Sequence, residues 1–190
     1  MSGAMLAVVP VMPSRECYLP ELVQNLSEHG ISVQTVRHVD GTSPSDDPPR
    51  VFQALAEAPG EWVLHIEDDA IVGPSFAEAI RVLRGINCCG ALSFFSLRKR
   101  EPGLHRVPWS STVCFAVRPA LVVGASDFAR DWYLAHPEHK HASDLILRDW
   151  FRERRVRHFT YFPSLVQHRD GPSTLGPRSS KRRSPTYVCE

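Results

Sequence analysis

The residues with the most chemistry in this chain are Glu67, Asp68 and Asp69, three consecutive acids set between two apolar runs. Trp62, Val63, Leu64, His65 and Ile66 precede them, and Ala70, Ile71 and Val72 follow. Carboxylates this close repel one another, and burying them unpaired is costly. A divalent cation held between them removes the conflict. At the end of a buried strand, such a cluster makes a rigid perch for a hard metal ion and a phosphate carried on it. A solvated acidic turn after a core strand is the competing reading, and the spacing of the acids does not choose between the two.

The acids need a framework. Residues 5–11 read as a buried strand, followed by a loop carrying Pro13, Ser14 and Arg15. Leu19, Leu22, Val23 and Leu26 recur at helical spacing, and Gly30 supplies a stop. Residues 31–39 alternate as a second strand, and residues 40–49 form a polar, proline-rich loop. Val51, Phe52, Leu55 and Ala58 outline a short amphipathic helix closed by Pro59 and Gly60. The strand over residues 62–66 then delivers the acids. Ser75 and Glu78 have capping-box spacing, with Phe76, Ile80 and Leu83 continuing one helical face. Residues 90–97 and 111–117 read as strands on either side of a charged loop, and residues 119–123 and 128–134 as short helices. Ser143 is placed to cap a helix over residues 144–154. Residues 159–166 form a last strand-like run, and a polar, basic, flexible arm follows Gly171. Alternation of strands with helices implies βαβ units and a mostly parallel sheet. Ligands of such sheets sit outside the carboxyl ends of the strands, where Glu67–Asp69 stand.

Composition bounds the class. The 190 residues are 43% hydrophobic and 23% charged, ordinary for a globular domain that buries roughly 70% of its unfolded surface. Five cysteines (Cys17, Cys88, Cys89, Cys114 and Cys189) form no CxxC pattern, which fits a reduced, cytoplasmic protein without a zinc site. No stretch approaches bilayer-spanning length, and the N-terminal apolar run is short and lacks a basic leader. Residues 1–147 hold 12 Lys/Arg against 17 Asp/Glu, whereas residues 148–190 hold 10 against 4. A basic final quarter suits a polyanionic partner such as a diphosphate, a nucleic acid or an acidic membrane; a solvated basic tail is the plain alternative.

Four stretches, in chain order, resemble a small GT-A-type glycosyltransferase, the fold in which a metal on a DxD-type motif holds a nucleotide-diphosphate sugar. Val8-Val9-Pro10 followed by Arg15 resembles the first strand and nucleotide-binding loop, and Glu67-Asp68-Asp69 the acidic metal motif. Asp144, in His141-Ala142-Ser143-Asp144, resembles the acid at the start of a late helix. Pro163-Ser164-Leu165-Val166-Gln167-His168, followed by Ser173, resembles the closing strand with its metal-binding histidine. The resemblance implies an α/β, GT-A-like single domain over residues 1–176, with a mixed, mostly parallel central sheet, and a basic tail over residues 177–190. No obligate protein partner is evident.

The resemblance also implies roles. Asp69 and His168 are the metal ligands, with Glu67 a second acid ligand, direct or through water, or a ribose contact. Asp68 is a supporting group at the nucleotide site with Pro10, and Arg15 either contacts a phosphate or the nucleobase region or is a plain surface arginine. Oxygen ligands suit Mg²⁺ or Mn²⁺, and an added imidazole tilts the choice to Mn²⁺. The ion stabilises a diphosphate leaving group more in the transition state than in the ground state. Asp144 is the general base that takes the acceptor hydroxyl proton, which implies inversion at the anomeric carbon; a plain first-turn helix acid is the competing reading. Trp109 either stacks on a sugar or base or packs at the edge of the core. Arg169, Arg178, Lys181, Arg182 and Arg183 either close over the diphosphate or track an anionic acceptor. His136, His139 and His141 read as a solvated loop rather than a zinc site.

The expected activity is therefore transfer of a sugar from a nucleotide-diphosphate donor to an acceptor hydroxyl. The basic C-terminal quarter admits hydroxymethylated bases in DNA as acceptor, as in some phage enzymes that resemble this family. Cell-surface glycans, lipid-linked sugars or proteins are the alternatives, and a non-catalytic nucleotide- or nucleic-acid-binding module is the alternative of another class. No GxSxG elbow or GxxxxGK phosphate loop is present.

Overall fold

A computed structural model describes residues 5–170 and 183–187. The first half runs β1 (Met5–Val11), α1 (Leu19–Glu28), β2 (Ile31–Arg37), α2 (Asp47–Glu57), β3 (Val63–Ile66), β4 (Ala70–Val72) and α3 (Ala77–Gly85). The second half runs β5 (Ala91–Ser93), β6 (Gly103–His105), β7 (Cys114–Val117), α4 (Ala125–Ala135), α5 (Ser143–Glu153), β8 (His158–Phe162) and β9 (Val166–His168). Seven strands form one sheet in the order β2-β1-β3-β7-β5-β8-β6, and β4 pairs with β9 in a separate ribbon. In the large sheet β2, β1, β3, β5 and β8 point the same way, while β7 and β6 run against their neighbours. The sheet is thus mixed and mostly parallel, as the alternating pattern predicts.

Strand alternation sorts the core into two layers. Ala7, Val9, Val11, Leu64 and Ile66 face α1 and α3, packing with Leu22, Leu26, Ala79 and Leu83. Val8, Val63, Phe115 and Val117 face the other way, against Phe52 and Leu55 of α2, Ala129 of α4, and Ile146 and Trp150 of α5. Helices on both faces account for strands that are apolar throughout, such as β3 and β7, in which every residue is buried.

Several local expectations fail for identifiable reasons. Helix α2 starts inside the segment read as a proline-rich loop, with Pro48 and Pro49 in its first turn, where a missing N–H leaves no intrahelical bond unmade. The Ser75/Glu78 capping box does not form: residues 74–76 make a 3₁₀ turn and no side chain caps α3. Glu78 instead accepts from Arg81 at 2.7 Å and from the Tyr161 hydroxyl at 3.3 Å. The charged loop hides an edge strand, β6, on β8. The last strand-like run is two strands, with Pro163, which has no N–H to donate, between them. The expected flexible arm is docked at residues 183–187, described below; the rest of it lies outside the described residues. None of the four described cysteines is in a disulfide. Among the described residues, no helix is long and apolar enough to cross a membrane.

His65 sits inside β3, 4% exposed and stacked on Phe115 with centroids 4.7 Å apart. Burial pushes its imidazole down to about 4, against a partial upward pull from a backbone hydrogen bond at Thr112. Below pH 6.5 the unfolded chain takes up a proton here that the folded chain refuses until about pH 4, so stability falls as pH drops through that window. Replacing His65 with Phe should shrink the loss between pH 6.5 and 4 by about 3 kcal/mol. Urea unfolding at the two pH values reads this directly; an unchanged loss would show that His65 is not the buried base responsible.

Candidate functional site

The carboxyl ends of β1 and β3 lie side by side, and the residues after them build the site. After β3 the chain turns tightly, with the Ala70 amide donating to the Glu67 carbonyl at 3.0 Å. The Glu67 amide donates to the Val113 carbonyl at 2.9 Å, which ties the turn to the entry of β7. The three acids then diverge. Asp68 turns back to β1, accepting from the Met12 amide at 2.8 Å and from Arg15 Nη1 at 3.3 Å. Burial pushes the Asp68 carboxyl up, opposed by the Met12 amide and the Arg15 charge and reinforced by neighbouring Asp69. Glu67 points the other way and accepts from the Thr112 hydroxyl at 2.9 Å. Asp69 faces the space between, 4% exposed.

That space is closed by a residue about a hundred positions downstream. Strand β9 pairs antiparallel with β4 in a register that sets His168 opposite Ala70. The Arg169 amide also donates to the Asp69 carbonyl at 2.9 Å, so backbone bonds alone fix His168 beside Asp69. Its Nε2 lies 3.3 Å from Asp69 Oδ2 and 4.0 Å from Glu67 Oε2. Its Nδ1 lies 2.9 Å from the Arg169 carbonyl. A carbonyl can only accept, so Nδ1 carries a hydrogen, and Nε2 is the ring nitrogen turned toward the two carboxylates. Glu67, Asp69 and His168 thus offer one donor atom each, all within 4.8 Å of one another. Asp69 Oδ1 is buried with no hydrogen-bond partner. Two carboxylate oxygens and an imidazole nitrogen at this spacing, with a second Asp69 oxygen still unsatisfied, fit a divalent cation of the Mn²⁺ or Mg²⁺ kind. Among the described residues no other group of three such side chains converges.

Asp144 is the second residue of α5 and half-buried. Ser143 before it does not cap the helix. Ala142 holds that position, and the Ser143 hydroxyl lies 3.3 Å from Thr112 Oγ1, which itself holds Glu67. The start of α5 is therefore tied to the acid cluster through two hydroxyls. The Ala142 amide donates to the Tyr133 hydroxyl at 3.1 Å. Burial pushes the Tyr133 phenol up, with the negative charges of Asp144 and Asp47 adding to the shift.

Of the remaining sequence candidates, Arg15 joins the acids and the others lie elsewhere. Arg15 reaches Asp69 Oδ2 at 2.6 Å as well as Asp68. Pro10 stays in β1, opposite Val36 and two residues before the Met12 amide that Asp68 uses. Trp109 packs in the core: it is 5% exposed, with Phe115, Phe151 and His158 against it edge-on. A ring enclosed in this way presents no open face for stacking on a sugar or base. Arg169 lies over the Tyr18 ring and pairs with Glu21 at 2.8 Å. Arg183 pairs with Asp170. Ser173, Arg178, Lys181 and Arg182 lie outside the described residues. His136 stacks on Trp132, and none of His136, His139 and His141 belongs to the converging metal-type group.

No sequence pattern marks the strap that backs β9. The Ser184 hydroxyl donates to Ser164 Oγ at 2.7 Å, and the Ser184 amide donates to Gln167 Oε1 at 2.7 Å. Ser164 Oγ also accepts from the Ser96 amide at 3.0 Å, and the Ser164 amide donates to Thr186. Serines and threonines among prolines carry no distinctive pattern, and only the fold shows that they meet. Replacing Ser164 with Val strands the buried Ser96 amide and removes the nearest acceptor of the Ser184 hydroxyl, and should lower stability by about 1–3 kcal/mol in urea unfolding. A loss under about half a kcal/mol would mean that the strap contributes little.

No family model matches this chain, and no curated protein matches it in sequence. Solved structures do match it in shape. A glycosyltransferase involved in the glycosylation of the major capsid of PBCV-1 superimposes with a TM-score of 0.57 at 16% identity, covering 90% of this chain and 95% of that one. S. aureus TarS superimposes with a TM-score of 0.53 at 11% identity, covering 90% of this chain but 37% of TarS. Its 1–349 fragment gives 0.50 at 12% identity, over 86% of this chain and 59% of the fragment. At these identities the likeness establishes a GT-A-like fold.

Proposed function

We propose that this GT-A-like domain is a metal-dependent, inverting glycosyltransferase that moves a sugar from a nucleotide-diphosphate donor to an acceptor hydroxyl. One observation carries the reading: one ligand atom each from Glu67, Asp69 and His168 converge within 4.8 Å at the carboxyl end of the sheet. Bound there, Mn²⁺ or Mg²⁺ supplies Lewis-acid stabilisation to the departing diphosphate. The protein's own groups do the rest. Thr112 holds Glu67 in place, and the Arg169 carbonyl holds the His168 ring so that its Nε2 faces inward. Arg15 supplies a positive charge beside the acids, suited to a phosphate oxygen. Asp144, set by the first turn of α5, accepts the proton of the acceptor hydroxyl as that oxygen attacks the anomeric carbon from the face opposite the leaving group.

Asp144→Asn should lower the rate of sugar transfer by about 10²–10⁴-fold while leaving donor binding near wild type. Asp69→Asn should abolish Mn²⁺-dependent binding of UDP- or GDP-sugars in calorimetry. Binding without turnover in the wild type, indifferent to Asp144→Asn, would instead favour a non-catalytic nucleotide-binding module.

The acceptor is read from charge. A hydroxymethylated base in DNA suits the basic final quarter, although Arg183 is already engaged by Asp170. If DNA is the acceptor, its binding should weaken steeply as salt rises, with a slope that drops when Lys181, Arg182 and Arg183 are replaced by Ser. Absent or salt-independent binding would leave a cell-surface glycan, a lipid-linked sugar or a protein as acceptor.

A further inference from the structure

Arg15 stands where a cation would. Its Nη1 is 2.6 Å from Asp69 Oδ2, the same oxygen that lies 3.3 Å from His168 Nε2, and 3.3 Å from Asp68 Oδ1. The side chain is 12% exposed and the Asp69 carboxylate 5%, so little water screens the pair. Its backbone is held in the short 3₁₀ turn Pro13–Tyr18, with the Arg15 amide on the Met12 carbonyl at 2.9 Å. The backbone therefore keeps the guanidinium near the acids, while the side-chain torsions leave its head able to swing. If Arg15 swings off, Asp68 keeps its bond from the Met12 amide, whereas Asp69 Oδ1 has no partner at all. Arg15 is thus one charge serving two buried carboxylates, one of which needs more.

From this we infer that Arg15 is an internal counter-ion that makes metal binding depend on the diphosphate. The inference rests on the metal reading of Glu67, Asp69 and His168 and adds a coupling that the reading does not contain. A dication on Asp69 Oδ2, the oxygen beside His168, displaces the guanidinium, and one on Oδ1 sits beside it; either way two positive charges lie a few ångströms apart in a site with little water, which is unfavourable. A diphosphate removes the conflict, because its oxygens accept both the dication and the displaced Arg15. Mn²⁺ alone then binds weakly, a nucleoside diphosphate tightens it, and the tightening is the same in whichever order the two are added. An enzyme built this way takes up metal together with donor rather than holding it at rest.

The test is Mn²⁺ binding, followed by electron paramagnetic resonance and calorimetry, in wild type, Arg15→Gln and Arg15→Lys, each with and without UDP or GDP. Wild type should bind Mn²⁺ about 5–150-fold more tightly with the nucleotide than without. Arg15→Gln should bind Mn²⁺ alone at least about fivefold more tightly than wild type, and its nucleotide-induced gain should shrink by the same factor. Arg15→Lys keeps the charge and should keep the weak binding of Mn²⁺ alone. A variant that loses nucleotide affinity but binds Mn²⁺ alone as wild type does would make Arg15 a phosphate contact only, and would overturn the inference while sparing the metal site. If none of the proteins binds Mn²⁺ under any condition, the metal reading falls and takes the inference with it. Should Arg15→Gln fail to fold, the wild-type titrations still decide, because a nucleotide effect below about fivefold contradicts the coupling.

Discussion

Three consecutive carboxylates at the mouth of a buried strand cannot share one environment, and the molecule gives each a different one. Glu67 takes a hydroxyl, Asp68 takes a backbone amide and part of a guanidinium, and Asp69 takes the rest of that guanidinium and faces an imidazole. The loop after β1, the entry of β7 and the β4–β9 ribbon meet here because each supplies one of these partners, and the first turn of α5 joins them through Ser143 on Thr112. None of the four is close in sequence to another. The fold's main task is to bring them together around a short acidic turn.

Topology makes that meeting possible. A strand running against its neighbours, β7, lies between β3 and β5, so its entry reaches the carboxyl end of β3 and places Thr112 on Glu67. A purely parallel sheet would put the exit of that strand there instead. The small ribbon does the complementary job on the other side. Its register is a matter of backbone hydrogen bonds, and a slip of one residue would turn His168 away from Asp69. The Ser164, Gln167 and Ser184 contacts on the flank of β9 oppose such a slip.

Much of this was legible in the sequence where one physical signal dominated. Apolar runs ending at Val11 and Ile66 mark β1 and β3, because strands covered on both faces have little room for polar residues. The triplet of acids stands out against such a run, and the spacing of Leu19, Leu22 and Leu26 shows α1. Signals were misleading where tertiary contacts compete with local ones. Ser143 and Ser75 look like helix caps, but the first hydroxyl goes to Thr112 and the second lies inside a 3₁₀ turn. Trp109 has the composition of a stacking platform, yet its large apolar surface is used in the core. Short edge strands such as β6 carry almost no pattern of their own, since their pairing is decided by β8.

The order of these partners along the chain has a consequence during protein synthesis. A ribosome releases β1, Arg15 and the acidic turn about a hundred residues before it releases His168 on β9. A nascent chain therefore already holds its carboxylates and their arginine, but has no imidazole to complete the trio. The Arg15 charge on Asp68 and Asp69 needs neither β9 nor its brace, so part of the acids' repulsion can be offset before His168 is made.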